Sequence, residues 1–235
     1  MSAPSLPEYA PLPPKTSVWE DCLDIFYSPR EVFERRRDGR FWVPLIVLCL
    51  MIGALTFLGR QAFDAITEVA FREQLASQNM TAEQAAAARE FGDKFRTIGY
   101  FITPITWGIF GLIAGTVFWF LARLLGATLT IAQGITIWTL ASYPNLINTA
   151  GVVVQSFFID PGSVTHKHAY SMSLARVVPP DAHKLLIKLS AVADPFVIWS
   201  AILIGLGAYI IGKMEKERAA VLAIITSVLY VLVFA

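Results

Sequence analysis

The feature that most constrains this chain is a run of 19 uncharged, mostly apolar residues at positions 41–59. As a helix that rises ~1.5 Å per residue, this run covers roughly the ~30 Å hydrocarbon core of a bilayer. Five arginines lie shortly before it, and cations beside a span are retained on the cytoplasmic side of a membrane. The run therefore predicts a membrane span that begins at the inner surface.

The composition of the 235-residue chain agrees with a membrane location. Hydrophobic residues make up 55% and charged residues only 16%, with a mean hydropathy of +0.57. That is too apolar for a soluble domain of this length. The charges are concentrated in a few polar segments between uncharged runs. We therefore expect an all-α membrane protein, a five-span transmembrane helical bundle with N-terminal interfacial amphipathic helices.

Three regions follow from this pattern. Residues 1–17 are rich in Pro and Ser and are expected to be disordered. Residues 18–40 are expected to form cytoplasmic interfacial amphipathic helices, and residues 41–235 form the transmembrane domain. The expected spans lie at about residues 41–59, 98–122, 128–158, 195–212 and 219–235.

The third span is the ambiguous one. Residues 124–159 form a run of 36 uncharged residues, which is too long for one span and too short for two full spans with a loop. Pro144 lacks a backbone donor and interrupts a helix. We predict one long span that is broken near residue 144; the alternative is two half-spans, which would give six crossings.

Local signals predict where several helices begin. Ser28, with Glu31 three residues later, predicts a capping box at the start of a short helix. Thr81 with Gln84 predicts a second capping box. Asp194, which lies directly before a proline, predicts the N-cap of the fourth span.

The orientation is predicted from the distribution of Lys and Arg. With the N-terminus inside, nine of these residues lie at the inner ends of spans and nine in the two outer loops. The inner nine crowd into short segments, where the positive-inside rule is strongest. The outer loop at residues 60–96 has the spacing of a helical hairpin. We expect a cytoplasmic N-terminus and an outer C-terminus, in the cytoplasmic (inner) membrane if the organism is a bacterium.

Small residues recur on the predicted spans, often four positions apart, and such a pattern lets helix backbones approach closely. The candidate helix-packing positions are Gly111, Gly115, Gly126, Thr130, Gly134, Ala201, Gly205, Ala208 and Gly212. Because no catalytic constellation accompanies them, we expect these faces to join the chain to other membrane proteins or to itself.

The arginine cluster has two interpretations. The cluster consists of Arg30, Arg35, Arg36, Arg37 and Arg40. In the first interpretation it is a surface that binds anionic lipid headgroups or a partner. In the second it is a topology anchor that is needed only for membrane insertion. The anchor is favoured because the positive-inside rule explains the arginines by itself. The outer helical hairpin has balanced charges and is not expected to bind nucleic acid.

A second polar group surrounds the predicted break of the third span. Tyr143, Asn145 and Asn148 would line a substrate site if this chain were a transporter, because discontinuous helices form such sites. The same side chains equally satisfy backbone groups that Pro144 frees. A small transporter is therefore the alternative function.

No enzyme site is expected. The sequence has no phosphate loop, no HExxH and no CxxC motif. No predicted span carries a charged residue in its middle, which counts against an ion pump or channel. His166, His168 and His183 lack a further fixed ligand for a metal. We therefore predict no catalytic residue, cofactor or metal. The predicted function is that of a membrane-organising, trafficking-like or accessory subunit.

Several short motifs are typical of one family of membrane proteins. They comprise Ser28 and Pro29 with Phe33, then Phe41, Trp42 and Pro44, then Tyr143 and Pro144, and finally Asp194, Pro195 and Phe196 with Trp199, Gly205 and Gly207. On these residues the chain resembles the Yip domain family, especially its compact bacterial-type members, from Leu23 to the C-terminus. The resemblance implies five spans and a cytoplasmic N-terminus.

The resemblance also bears on partners. Eukaryotic members of the family are membrane-trafficking factors that bind prenylated Rab-type GTPases and one another. The N-terminal region of this chain is short and lacks the acidic Leu-rich motif of those proteins, which makes a GTPase partner doubtful. The family therefore implies an architecture more firmly than an activity.

Overall fold

The computed structural model describes residues 17–77, 81–179 and 182–234. These residues form ten α-helices and two short 3-10 helices, with no strand among them, so the predicted all-α class is confirmed. The α-helices are α1 (Val18–Tyr27), α2 (Pro29–Arg35), α3 (Trp42–Leu58), α4 (Arg60–Ser77), α5 (Ala82–Leu124), α6 (Ile131–Ala141), α7 (Pro144–Ser156), α8 (Lys184–Val192), α9 (Pro195–Ile210) and α10 (Lys216–Phe234). The 3-10 helices are Pro161–Ser163 and Leu174–Val177.

The expected disordered N-terminus falls almost entirely on residues 1–16, which lie outside the described part of the chain. Ser17, which we had included in it, is instead the N-cap of α1. Its side chain accepts a hydrogen bond from the backbone N–H of Glu20, and the Glu20 carboxylate accepts one from the N–H of Ser17. The first helix therefore begins with a capping box that we had not predicted.

The core of the bundle is built around α6. This helix packs against α5, α9 and α3, and α10 packs against α9. The buried side chains at the centre come from different helices and include Phe118, Ile137, Leu140, Leu203 and Leu222. Helix α6 is therefore enclosed by its neighbours, which explains why most of its residues are buried.

Two glycines let α5 and α6 touch. A Cβ on Gly115 would lie 2.7 Å from the Cα of Ile135, and a Cβ on Gly134 would lie 2.5 Å from the Cβ of Trp119. Gly111 faces the side chain of Leu45 in α3, 3.0 Å from where its Cβ would be. These glycines pack helices of this chain together, so they leave no free face for the partner that we had expected there.

A further close contact, between α3 and α5, had not been predicted. The ring of Pro104 occupies the place where a Cβ on Gly53 would lie. Pro104 stands inside α5 rather than near the start of a helix, because α5 runs without interruption from Ala82. The 43 residues of α5 reach ~64 Å, which is about twice the thickness of the hydrocarbon core.

The ridge that we predicted from Gly126, Thr130 and Gly134 is wrong for its first two members. Gly126 has φ +90° and lies in the turn after α5. Thr130 is the N-cap of α6 and forms a capping box with Gln133. Gly126 and Thr130 therefore lie outside the helices, and of the three residues only Gly134 makes a close helix–helix contact.

The other predicted helix starts have mixed outcomes. The capping box of Thr81 with Gln84 is confirmed, and so is Asp194, whose Oδ1 accepts the N–H of Phe196 at 2.7 Å. The capping box of Ser28 is wrong. Ser28 closes α1, its N–H bonding to the carbonyl of Asp24 at 2.6 Å, and its side chain makes no cap bond.

The polar segment after α3 forms two contacting helices, as the hairpin pattern predicted. Helix α4 leaves α3 at a bend of 82°. Its Glu68 accepts a hydrogen bond from Arg89 of α5 at 3.3 Å, and its Asp64 accepts one from the hydroxyl of Tyr100 at 2.6 Å. These bonds hold α4 against the first half of α5.

The number of helices that are long and apolar enough to cross a bilayer is smaller than the five expected spans. Among the described residues, one helical segment, Ile98–Leu124, is long and apolar enough to cross a bilayer, or two if the bent pair of α3 and α4 counts as one span. Helix α9 is apolar but has only 16 residues, and the third expected span is split into α6 and α7 at residues 142–143, beside the predicted break.

The glycine contacts give a first testable prediction. Gly115→Ala forces a Cβ against the backbone of α6 and should lower the free energy of unfolding by about 1–3 kcal/mol. Gly99→Ala is the matched control, because no heavy atom lies within 4 Å of the added Cβ; it should keep or raise stability. Thermal unfolding of the purified protein in mild detergent measures both. Equal stability of the two variants, with loss of a complex in Gly115→Ala alone, would contradict packing within the chain.

Candidate functional site: the N-terminal helices on the bundle end

The first feature of this site is a buried carboxylate that joins α1 to the end of α2. Asp21 is 1% exposed. Its oxygens accept hydrogen bonds from Nε of Arg35 at 2.8 Å and from Nε of Arg36 at 2.5 Å. Arg35 also donates to Asp24 at 2.6 Å. A buried carboxylate needs such partners, so this network holds the two helices together as one unit.

The network changes the predicted arginine surface. The side chains of Arg35 and Arg36 are only 13% and 11% exposed, and both are bonded within the chain. Arg30, Arg37 and Arg40 remain exposed. The lipid or partner surface therefore narrows to these three residues and stays a prediction.

The pKa of Arg35 agrees with its assignment to the ion-pair network with Asp21 and Asp24. Burial by itself would lower the pKa of Arg35, but its hydrogen bonds to Asp21 and Asp24 outweigh burial and raise that pKa above its usual value. Burial also raises the pKa of the neighbouring Cys22 thiol. A buried thiol with a raised pKa is a poor nucleophile, so Cys22 has the character of a packing residue.

Tyr143 connects the N-terminal helices to the break between α6 and α7. Its hydroxyl donates to the carbonyl of Pro44 at 2.9 Å and lies 3.0 Å from the sulfur of Cys22. The ring of Phe26 packs edge-on against Tyr143 and against Trp199 of α9. Tyr143 is 1% exposed, so it serves as a structural connector and faces no open site.

Helix α2 is seated on α9 through an aromatic side chain and a glycine. Phe33 is fully buried. A Cβ on Gly207 would lie 3.0 Å from Cε1 of Phe33 and 2.7 Å from Cγ2 of Ile137. Glycine at this position therefore makes room for the Phe33 ring between α2, α6 and α9.

The predicted polar site is only partly assembled. Asn145 lines a small cleft together with Ser142, Ser200 and Thr226. The cleft is about 30 Å³, which holds a water molecule or two. Tyr143 is engaged elsewhere, and Asn148, which is half-buried, does not line this cleft. The structure therefore does not bring the three predicted residues to one site.

The histidines at positions 166, 168 and 183 lie in different environments. His183 caps α8, its Nδ1 accepting the N–H of Leu185 at 3.2 Å. Burial, with the nearby charges of Lys167 and His166, lowers the pKa of His168. Within the described ranges no three His, Cys, Asp or Glu side chains form a group that could hold a metal ion.

Several polar segments that are far apart in sequence meet at the end of the bundle where α1 and α2 lie. The amide of Gln133 donates to the carbonyl of Arg37 at 2.7 Å, and the N–H of Thr128 donates to the carbonyl of Gly212 at 3.1 Å. The guanidinium of Arg218 lies beside Gly126. The basic residues before α3, at the end of α5 and around the start of α10 are therefore at the same end.

The sides of the bundle are apolar and exposed. Helix α5 presents a row of large side chains four residues apart, including Ile105, Ile109 and Ile113, and α9 and α10 present Ile202 and Ile224, all more than half exposed. A soluble monomer rarely exposes so continuous an apolar surface. Together with the uncharged runs and the basic end, this surface defines a helical membrane protein.

Comparison with known proteins agrees. The sequence matches the Yip1 domain over residues 23–235, and the chain therefore belongs to the Yip1 domain family. It is 26% identical to the Membrane protein YknW of Bacillus subtilis (strain 168) over 203 residues, which cover 86% of this chain and 82% of that protein. No solved structure matches it. The chain is a membrane protein with a Yip domain.

Several residues that carried the family resemblance meet at this site, namely Phe33, Pro44, Tyr143, Trp199 and Gly207. The ion-pair role of Asp21 and Asp24 was not predicted from the sequence. The signal that could have revealed it is the pairing of two acids in one short helix with consecutive arginines in the next, after a one-residue link.

The ion-pair network gives a second prediction. Asp21→Asn leaves Arg35 and Arg36 without their shared carboxylate and should weaken the docking of α1 and α2 by about 3–5 kcal/mol. Cys22 is buried beside Asp21 and reports on this docking. In a Cys49→Ala background, a water-soluble maleimide should label Cys22 much faster in the Asp21→Asn variant.

Glu34→Gln is the matched control for this labelling experiment. Glu34 also pairs with an arginine, Arg30, but both side chains are exposed, and such pairs contribute little to stability. We expect its labelling rate to equal that of the parent protein. Equal protection of Cys22 in Asp21→Asn would show that apolar packing alone holds the helices.

Proposed function

We propose that this chain is a non-enzymatic, five-span protein that assembles with other membrane proteins as a membrane-organising or accessory subunit. In this proposal the spans are α3, the second half of α5, α6 with α7, α9 and α10. The N-terminus is cytoplasmic, the C-terminus lies outside, and the membrane of a bacterial member is the inner one.

The gathering of basic segments supports the proposed orientation. Residues 30–40, Arg123 and residues 213–218 carry the cations that we assigned to the inner side, and their segments lie at one end of the bundle. Since Lys and Arg beside spans are retained in the cytoplasm, this end is the proposed inner end.

The orientation gives a third prediction, which single cysteines in a background without the native ones can test. A membrane-impermeant maleimide added to intact cells should label Ala87→Cys and Thr165→Cys. It should label Arg40→Cys and Glu217→Cys only after permeabilisation. The reverse pattern would overturn the orientation. Labelling of positions 87 and 165 on opposite sides would indicate that α6 and α7 cross separately.

The observation that carries the assembly proposal is the outer face of α1. Trp19, Leu23 and Tyr27 follow one another at four-residue spacing and are 67%, 66% and 85% exposed. The opposite face of the same helix is fixed to the bundle through Asp21 and Cys22. A rigid row of aromatic and aliphatic side chains is the kind of surface that forms the centre of protein interfaces.

The geometry favours assembly over transport. The cleft beside Asn145 has room for water but not for a solute of metabolite size, and the hydroxyl of Tyr143 is already bonded to Pro44. Gly111, Gly115 and Gly134, which were first proposed for assembly, pack within the chain. The proposed partner surface is therefore α1 rather than the small-residue faces of α5 and α6.

A photo-crosslinking amino acid at Leu23 tests this proposal in the native membrane. We expect a covalent product with a second polypeptide, and an intact particle in lipid-retaining detergent heavier than one 25.9 kDa chain. The matched control is the same amino acid at Ile25, which is buried on the opposite face and should react only within the chain.

Leu23→Glu provides the complementary variant. It should abolish the intermolecular product and reduce the particle to one chain without a change in the melting temperature, because the side chain is exposed. Crosslinks from position 23 to lipid alone, with a particle mass of one chain, would show that α1 is a membrane anchor and would overturn the proposal.

A further inference from the structure

An apolar groove runs along the outer surface between α9 and α10. It has a volume of about 690 Å³, within the range of ligand pockets. Its floor is made of small residues such as Ala201 and Ala223, and its walls of branched ones such as Ile202 and Ile224. Both isoleucines are more than 60% exposed, so the groove opens to the side of the bundle.

The end of the groove near Tyr209 is charged, because the ammonium of Lys216 of α10 lies 5.8 Å from the centre of the Tyr209 ring. Arg30 of α2 is the second cation that lines the groove. The other end, near Val197 and Val228, is apolar. The groove therefore combines two cations with a channel that is apolar except for Tyr209 and Ser227.

The position of Arg30 is fixed by packing. Three residues later in the same helix, Phe33 is buried against Gly207 of α9, and this contact anchors α2 next to the groove. Arg30 pairs with Glu34 at 3.2 Å, but both side chains are exposed. An exposed ion pair is weak, so the guanidinium can exchange Glu34 for an anion that offers more contacts.

The length of the groove matches one leaflet. The lining residues of α9 extend from Val197 to Tyr209, twelve residues along a helix, or ~18 Å. Half of the hydrocarbon core of a bilayer is roughly 15 Å. A chain that enters at the cations therefore reaches the bilayer midplane within the groove.

We propose that this groove binds one anionic phospholipid, with its phosphate between Arg30 and Lys216 and an acyl chain along α9 and α10. The charge complementarity selects the lipid. A phosphate with an attached chain satisfies the cations and the apolar channel together, whereas an apolar helix face of a second copy would leave both cations without an anion. The site is separate from the outer face of α1, so it stands or falls independently of the proposed assembly.

The experiment uses the full-length protein in detergent, titrated with phosphatidylglycerol or with phosphatidylcholine of the same acyl chains, with bound lipid counted by native mass spectrometry. We expect one phosphatidylglycerol to bind more tightly than phosphatidylcholine. Arg30→Gln with Lys216→Gln should weaken phosphatidylglycerol about fivefold per cation, roughly 25-fold in the double variant. The control pair, Arg123→Gln with Lys213→Gln, removes two exposed cations outside the groove and should leave the affinity unchanged.

A second pair of variants tests the apolar part. Ala220→Phe fills the groove and should weaken both lipids, whereas Val221→Phe adds the same ring on the same helix outside the groove and should weaken neither. Glycerol phosphate, which has the headgroup phosphate without acyl chains, should not compete.

Four results would overturn the proposal. The first is equal affinity for the two lipids, and the second is equal loss in the two double-glutamine variants. The third is a dimer that Ala220→Phe dissociates, because a second copy would then occupy the groove. Competition by glycerol phosphate would likewise show an anion site without a role for the groove.

Discussion

The buried carboxylate of Asp21 is the interaction on which the N-terminal part of this structure depends. A carboxylate that is 1% exposed is tolerated only with charged, hydrogen-bonded partners, and Arg35 and Arg36 supply them. Asp21 belongs to α1, Arg35 is the last residue of α2 and Arg36 follows it. The two short helices therefore cannot separate without leaving charges unpaired. Buried pairs of this kind give geometric definition more than net stability, and here they fix a helix pair on the end of the bundle.

The fixed helix pair places the surfaces to which we assign function. With its inner face held by Asp21 and Cys22, α1 presents Trp19, Leu23 and Tyr27 outward. With Phe33 seated against α9, α2 brings Arg30 to the mouth of the lateral groove. The proposed protein partner and the proposed lipid therefore occupy different surfaces, and both surfaces derive from the same docking of α1 and α2.

Inside the bundle, small residues serve the chain itself. Helices in a membrane gain little from burial of apolar surface, so close backbone contact contributes much of their association. Gly115 and Gly134 provide that contact between α5 and α6, and Gly53 provides it against Pro104 of α5. The large apolar side chains that remain face outward and are available to lipid.

Features that depend on composition and local bonds could be predicted from the sequence alone: the helical membrane class, the family, the helix starts at Thr81 and Asp194, and the break beside Pro144. Each depends on residues close together in the chain. Only the tertiary structure decided which arginines are exposed, which glycines are consumed in packing and that Tyr143 is a connector. These assignments rest on contacts between distant segments, such as that of Tyr143 with Pro44, 99 residues away. Periodicity identifies the face of a helix on which a residue lies, but only the packed structure identifies what covers that face.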